Sequence, residues 1–150
     1  MEGLKITEKQ TAEKVLNLQL ASYAIEASLI GSTELPPLKE SAADLMNSGE
    51  TFYGEFDRKE LAGVISYKVD QSVLDIHRVM VNPQYFRQGI AAKMIQSVLS
   101  MEKNKVSTVL VATASLNKPA VYLYKKLGFQ FHDEFTVSEG IRIAQFKKEL

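Results

Sequence analysis

The chain has 150 residues, a length that suits one domain and allows it to bury a sizeable apolar core. Its 18 lysines and arginines balance its 18 aspartates and glutamates, and the resulting formal net charge of zero disfavours nucleic acid or an anionic membrane as a partner. The sequence contains no cysteine, which excludes disulfides, thiolate metal sites and a cysteine nucleophile.

The first part of the chain predicts a strand, two helices and the loop between them. Residues 4–7 alternate apolar and polar and predict a short strand, and an apolar helical repeat runs from residue 11 to about residue 29. Residues 31–37 are rich in helix breakers and predict a loop that ends in Pro36-Pro37. A second helix is predicted over residues 39–47.

The middle of the chain predicts a meander of three strands and then a helix. The strands are predicted over residues 51–56, 61–69 and 73–81, with a fully charged turn at 57–60 and a polar turn at 70–72. Apolar residues then recur at helical spacing from Ile90 to Leu99, which predicts a helix that ends near residue 103.

The last part of the chain predicts a strand, a helix and a hairpin. Residues 108–112 are an unbroken apolar run, typical of a central strand buried on both faces. A helix follows between Asn117 and Gly128, and residues 129–136 and 141–147 predict a hairpin that turns at Ser138-Glu139-Gly140. The order β-α-α-β-β-β-α-β-α-β-β predicts an α/β fold in which helices cover a mixed sheet, and we expect residues 1–150 to form a single domain.

Neither a leader segment nor a membrane span is predicted. The N-terminal residues contain no apolar segment of signal-peptide length. No apolar run approaches the ~18 residues that a spanning helix needs. We therefore expect a soluble protein of the cytoplasm.

The loop between the fourth strand and the third helix is a candidate anion site. Pro83 ends the strand, and Gly89 opens the helix with freedom for positive φ. The first amides of a helix have no partner within it, and the helix dipole places partial positive charge there. With Arg87 beside it, the loop can wrap these amides around a phosphate. An ordinary strand–turn–helix remains the plainer interpretation.

A second candidate site lies on the helix that follows the fifth strand. Asn117 and Pro119 are typical of a helix start, and Gly128 of a helix end. Asn117 and Tyr124 are seven residues apart, so they share a face and lie about 10 Å apart along the axis. Either residue alone is equally consistent with a helix cap or a core tyrosine.

Both segments resemble the GCN5-related N-acetyltransferases. Val81-Asn82-Pro83 and the following residues 85–91 resemble that family's acetyl-CoA pyrophosphate loop, although Phe86 stands where the family has arginine or glutamine. The second segment is similar to the family's fourth helix at Asn117, Ala120, Tyr124, Gly128 and Phe129. The resemblance implies a mixed, mostly antiparallel central sheet flanked by helices, and an enzyme that uses acetyl-CoA as co-substrate without a metal.

The resemblance also implies roles for particular residues. The backbone of Val79, Met80 and Val81 would bind the pantetheine arm, and Asn117 would hold that arm or a water. The pyrophosphate would lie against a run of loop and helix residues: Arg87, Gln88, Gly89, Ile90, Ala91 and Ala92. Tyr124 would be the general acid, because a phenol of pKa ~10 is protonated at neutral pH and can donate to the leaving thiolate.

The general base has more than one candidate. Some relatives carry a glutamate on the fifth strand, where this chain has Ala112. Asp75 and His77 share one face of the fourth strand, and a histidine of pKa ~6.5 could take the proton of the amine directly or through water. His77 could equally be a structural histidine, and Arg78 a structural partner of Asp75. Glu26, near the end of the first helix, faces the region where the family binds acceptors.

The acceptor and the assembly stay open at this stage. We expect the primary amine of a small molecule or a peptide, acetylated by direct attack in a ternary complex. The missing glutamate at Ala112 motivates an alternative: a non-catalytic module that binds acyl-CoA or a partner on the same fold. An acyl group longer than acetyl is a further option. The family's final strands often pair between subunits, so a homodimer is also open.

Overall fold

The computed structural model describes residues 1–137 and 140–150, and within them the predicted order of helices and strands is confirmed. The helices are α1 Lys9–Ile30, α2 Ala42–Met46, α3 Ile90–Glu102 and α4 Lys118–Lys126. The strands are β1 Glu2–Leu4, β2 Thr51–Asp57, β3 Glu60–Asp70, β4 Val73–Val81, β5 Thr108–Ala114, β6 Gln130–Thr136 and β7 Arg142–Glu149. Short 3₁₀ turns lie at Pro36–Lys39 and Pro83–Tyr85.

The strands form one sheet in the order β1-β2-β3-β4-β5-β7-β6. Only β4 and β5 pair in parallel among the described strands, so the mixed, mostly antiparallel α/β fold is confirmed. One face packs against α3 and α4, and the other against α1 and α2. None of the helices in residues 1–137 and 140–150 is long and apolar enough to cross a membrane.

The boundaries differ from the predicted ones where short-range hydrogen bonds intervene. The first strand is Glu2–Leu4, because the chain turns at once and Ile6 N donates to Leu4 O. The second helix starts only at Ala42, because Ser41 and Asp44 form a reciprocal capping box that fixes its first turn. Of the predicted turn of the last hairpin, Ser138 and Glu139 lie outside the described residues.

The parallel ladder between β4 and β5 covers only the first half of β4. Its register runs from Val73 opposite Thr108 to Ile76 opposite Val111. Beyond that point β4 continues to Val81 and stays paired with β3, while β5 stays paired with β7. The two strands therefore part, and a gap opens in the middle of the sheet.

A β-bulge lies where the strands part. Ser66 of β3 pairs with Arg78, but the next residue, Tyr67, pairs with Ile76, so His77 is the extra residue of β4. The extra residue shifts the alternation of side chains: Ile76 and Val79 both pack against the core under α3 and α4. Strict alternation predicts Arg78 on that face, and the bulge places it among residues of α1 instead.

α3 packs directly on the backbone of β3 at Gly63. A Cβ atom added at Gly63 would lie 2.9 Å from Ile90 Cγ2, closer than real Cβ atoms approach, and 3.0 Å from Met94 Cε, which is a tight contact. Ile90 is the first residue of α3, so this close contact sets the height of the helix N-terminus above the sheet.

We expect Gly63→Ala to destabilise the fold by about 1–3 kcal/mol, because α3 must shift to admit the methyl group. Urea denaturation followed by circular dichroism measures the effect. Gly3→Ala is the matched control in β1, because its added Cβ would meet Tyr53 at an ordinary 3.7 Å. Equal stability of Gly63→Ala and the wild type would contradict the close packing.

Candidate active site

The loop between β4 and α3 holds two residues in the left-handed backbone region. Arg87 has φ 64° and Gly89 has φ 74°, and Gly89 immediately precedes the first turn of α3. Such residues turn backbone N–H groups toward a common centre and can form a concave anion site. Arg87, Gln88 and Gly89 are exposed, so the site is open to solvent. The positive φ of Gly89 was predicted from the sequence, whereas the positive φ of Arg87 was not.

The same loop is tied to the first residues of β3. The Tyr85 hydroxyl donates to Glu60 Oε2 at 2.9 Å, and Asn82 N donates to Ala62 O at 2.8 Å. The hydrogen bond to Glu60, together with the nearby charges of Glu60 and Asp57, raises the pKa of Tyr85 to about 12. The phenol therefore stays protonated, and the contact persists, across the physiological pH range. Sequence reasoning missed this contact.

A cavity of about 260 Å³ lies at the gap between β4 and β5. Its walls come from both strands, from α1 and α4, and from Pro36 and Pro37. It brings together five of the predicted site residues: Glu26, His77, Val79, Asn117 and Tyr124. The loop residues 87–92 lie outside its lining, and so does Asp75.

Tyr124 belongs both to the core and to the cavity wall. It is 5% exposed, and its ring packs against Phe129 and Phe146 at centroid distances of 6.1 and 6.0 Å. Its hydroxyl has no hydrogen-bond partner among the residues that the structure describes, although the residue lines the cavity. Burial first, and then the negative charge of Glu26, raise the pKa of Tyr124 above its ordinary value. The side chain is thus a neutral phenol with an unused donor.

Asn117 caps α4 and also binds Glu26. Its Oδ1 accepts from Ala120 N at 3.4 Å, which is the cap predicted from the sequence. Its Nδ2 donates to Glu26 Oε1 at 2.9 Å and to Thr113 Oγ1 at 3.3 Å, and Thr113 Oγ1 donates to Glu26 Oε1 at 3.0 Å. α1 is thereby joined to β5 and α4 across the cavity, a link that the sequence did not reveal.

His77, the bulge residue, lies between two carboxylates. Its Nε2 is 3.6 Å from Asp75 Oδ2, and its Nδ1 is 3.6 Å from Glu50 Oε2. Its side chain is 33% exposed. Burial raises the pKa of Asp75, with Glu50 acting in the same direction and His77 against it. The predicted pair of Asp75 and His77 is therefore close in space, and Glu50 is an unpredicted third member.

Arg78 does not pair with Asp75, so that suggestion from the sequence is wrong. On the face of α1, Arg78 donates instead to Glu50 at 2.8 and 3.0 Å and to Glu40 at 2.6 and 3.2 Å, so its hydrogen bonds go to these two carboxylates. Burial opposes the ionisation of Glu50, but hydrogen bonds from Arg78 and Ser66 outweigh it and lower the pKa of Glu50. Burial acts to lower the pKa of Arg78, but Glu50 and Glu40 outweigh it and raise this pKa.

Gln19 connects the cluster of Arg78, Glu40 and Glu50 (the Arg78 cluster) to the segment with Pro36 and Pro37 that lines the cavity. This fully buried residue of α1 accepts from Arg78 Nη1 at 2.9 Å, and its Nε2 donates to Pro37 O at 2.8 Å and to Glu40 Oε1 at 2.9 Å. The segment that carries Pro36 and Pro37 is therefore fixed to α1 and β4. The sequence feature that could have indicated this role is a glutamine within the apolar stripe of α1.

The remaining predicted residues line neither the cavity nor a common surface. Met80 is fully buried on the face of α1 and α2, and Val81 is half-buried against the core of the opposite face. Ile90, Ala91 and Ala92 are half-buried in the first turn of α3.

Ala112 is the accessible residue of β5 and lines the cavity, so this strand is not buried on both faces throughout.

The fold and this arrangement agree with a known domain family. A sequence model of the acetyltransferase (GNAT) domain matches residues 20–150, and the chain therefore belongs to this family of acyltransferases.

Two curated proteins share sequence with the chain. The UPF0157 protein YqkA of Bacillus subtilis is 34% identical over 146 residues, which are 97% of this chain and 42% of that protein. A thialysine N-epsilon-acetyltransferase of Mus musculus is 42% identical over 72 residues, 47% of this chain and 41% of that protein. The chain thus spans less than half the length of each of these relatives.

A solved structure has the same fold. The PaiA N-acetyltransferase of Thermoplasma acidophilum, in complex with coenzyme A, superposes with a TM-score of 0.77 at 20% identity, covering 95% of each chain.

We expect Glu50→Gln to make the free energy of unfolding less dependent on pH at acidic pH. Because its folded-state pKa is lowered, Glu50 contributes stability above the ordinary carboxylate pKa of ~4.3, and this contribution is lost as pH falls through the folded-state value. The free energy of unfolding of the wild type therefore falls more steeply below pH ~5 than that of the variant. At pH 7 the variant is less stable by about 1–3 kcal/mol, because Arg78 loses a charged acceptor.

Urea titrations at a series of pH values measure these profiles. Glu13→Gln is the control, because this α1 carboxylate is 53% exposed and forms a long ion pair with Lys9 at 3.9 Å. Parallel profiles for Glu50→Gln and the wild type would contradict the assigned pairing.

Proposed function

We propose that this domain transfers an acetyl group from acetyl-CoA to the primary amine of a small molecule or peptide, by direct attack in a ternary complex. The observation that carries the proposal is the gap between β4 and β5. The hydroxyl of Tyr124, which is neutral and has no hydrogen-bond partner among the described residues, lines the cavity at this gap. The loop with Arg87 and Gly89 in the left-handed backbone region follows the free end of β4.

Acetyl-CoA would bind along the free part of β4. From His77 onward this strand has no β5 partner, so main-chain groups of Val79, Met80 and Val81 on that side are available to the pantetheine arm. The pyrophosphate would accept from backbone N–H groups of residues 87–92, with Arg87 adding positive charge. A protein with the same fold has been solved in complex with coenzyme A, which supports the choice of this cofactor.

The chemical step needs one proton removed and one supplied. The amine nitrogen forms a bond to the thioester carbonyl carbon, and a β4 amide stabilises the oxyanion. When the carbon–sulfur bond breaks, Tyr124 gives its proton to the departing thiolate. The raised pKa of Tyr124 keeps this proton in place before the reaction. The products are the acetylated amine and CoA, and the proton lost by the amine balances the one supplied by Tyr124.

His77 is our candidate for the base that takes the proton of the amine, directly or through water. It lines the cavity, and Asp75 and Glu50 each lie 3.6 Å from one of its two ring nitrogens. Asp75 thus acts as a positioning residue. Ala112 cannot serve as a base, because it has no ionisable group.

The alternative is a domain that binds acyl-CoA without turnover, which Ala112 favours. It shares the cofactor contacts and differs only in the chemistry. Release of free CoA in the presence of amines separates the two functions, provided that acetyl-CoA binding is measured in the same preparation.

We expect Tyr124→Phe to lower kcat by about 10²-fold or more, because it removes the proton donor and keeps the ring packing. The Kd for acetyl-CoA is expected to stay within about threefold of the wild type, since the thioester loses no main-chain contact. Thiol release monitors turnover, and calorimetry monitors binding. Tyr122→Phe is the control, because this residue of the same helix is 69% exposed.

Two outcomes would contradict the proposal. An unchanged kcat in Tyr124→Phe would remove the phenol from the chemistry. A wild type that binds acetyl-CoA and releases no thiol with any amine would favour the binding module.

We expect Gly89→Ala to weaken CoA binding by about tenfold, because a left-handed alanine costs about 1 kcal/mol and the loop relaxes away from the anion site. Gly31→Ala is a matched control: Gly31 has φ 70°, Gly89 has φ 74°, and nothing lies within 4 Å of an added Cβ at either position. Both variants lose similar stability, but only Gly89→Ala loses affinity in calorimetric titrations with CoA. Equal CoA affinities for the two variants would exclude the loop as the anion site.

A further inference from the structure

Glu26 is a carboxylate of the cavity wall that has no cationic partner among the described residues. Its Oε1 accepts from Asn117 and Thr113, both of which are uncharged donors. No donor in the described part of the chain reaches its Oε2. The negative charge of Glu26 is therefore held in place by hydrogen bonds and is not neutralised.

No lysine or arginine of the described cavity lining supplies the missing cation. Among the described lining residues, Arg78 is the only lysine or arginine. Its guanidinium is already bound by Glu40 and Glu50, so this group of three carries a net negative charge. Glu26 thus adds to an excess of negative charge at a site enclosed by apolar side chains.

Two phenol rings also face this site. Tyr23 lies one helical turn before Glu26 on α1 and lines the cavity together with Tyr124. Burial first, and then the charge of Glu26, raise the pKa of Tyr23, so both phenols stay neutral. Neutral aromatic faces attract cations. Independently of the charges, the unpartnered hydroxyl of Tyr124, on a side chain only 5% exposed, indicates that a ligand completes this cavity.

From this charge pattern we infer the chemical class of the acceptor: an aliphatic amine that carries a second cationic group, which Glu26 binds through its Oε2. This inference rests on the proposed function and specifies its substrate. A carboxylate at the far end of the acceptor would meet Glu26 and the net negative Arg78 cluster, and like charges at a site of this kind are strongly disfavoured.

Three probes of equal chain length test the inference: 1,4-diaminobutane, butylamine and 4-aminobutanoate. They share the primary amine and differ only in the group at the other end, which is cationic, neutral or anionic. We expect kcat/KM to fall in that order, by about tenfold or more at each step, with the difference mainly in KM.

Glu26→Gln tests the residue. Glutamine keeps an oxygen acceptor for Asn117 and Thr113 and removes only the charge. We expect the ratio of kcat/KM for 1,4-diaminobutane to that for butylamine to fall about tenfold, and the ratio for 4-aminobutanoate to butylamine to rise. Glu13→Gln makes the same change on the exposed side of α1 and is expected to leave both ratios as in the wild type.

The outcomes separate this inference from the proposed function. If acetyl-CoA binds and amines are acetylated, but 4-aminobutanoate is used as well as the diamine, the inference fails and the proposed function stands. An equal loss on all three probes in Glu26→Gln would also overturn it, because it would assign Glu26 to catalysis or folding. If acetyl-CoA does not bind, or binds without turnover of any amine, the proposed function itself fails.

Discussion

The parting of β4 from β5 is the constraint on which the rest of this structure depends. Their parallel ladder ends at Ile76 and Val111, and the bulge at His77 bends β4 at that point. The extra residue sends Arg78 to the face of α1 and leaves His77 between two carboxylates. The proposed sites of cofactor binding, acceptor binding and proton transfer all lie around this one irregularity of the sheet.

The gap has to be held open, and polar networks do this where apolar packing is missing. Arg78 and Gln19 fix the segment at Pro37 on one side, and Glu26 joins α1 to Asn117 on the other. Buried ion pairs contribute little net stability, because desolvation offsets their attraction. Their directional hydrogen bonds, however, set positions that a purely apolar contact would leave variable. We therefore regard these networks as the frame of the cavity.

The order of elements, the loop between β4 and α3 and the helix α4 could be predicted because local rules determine them. Periodicity, Pro83, Gly89 and the Asn117 cap each act within a few residues of sequence. The bulge could not be predicted, since it is defined by pairing with a distant strand. The partners of Arg78 lie 28 to 59 positions away along the chain, and their approach depends on that bulge. The strained φ of Arg87 carries no sequence signal either, because arginine is uncommon in that region.

The hydrogen bond from Tyr85 to Glu60 has a consequence for the outer edge of the molecule. Hairpin turns usually tolerate insertions and charge changes, because few contacts depend on them. Here the first residue of β3, directly after the turn, supports the loop proposed for the pyrophosphate. Lengthening this turn would withdraw Glu60 from Tyr85, so a change at a solvent-facing hairpin would remove a contact that holds this loop.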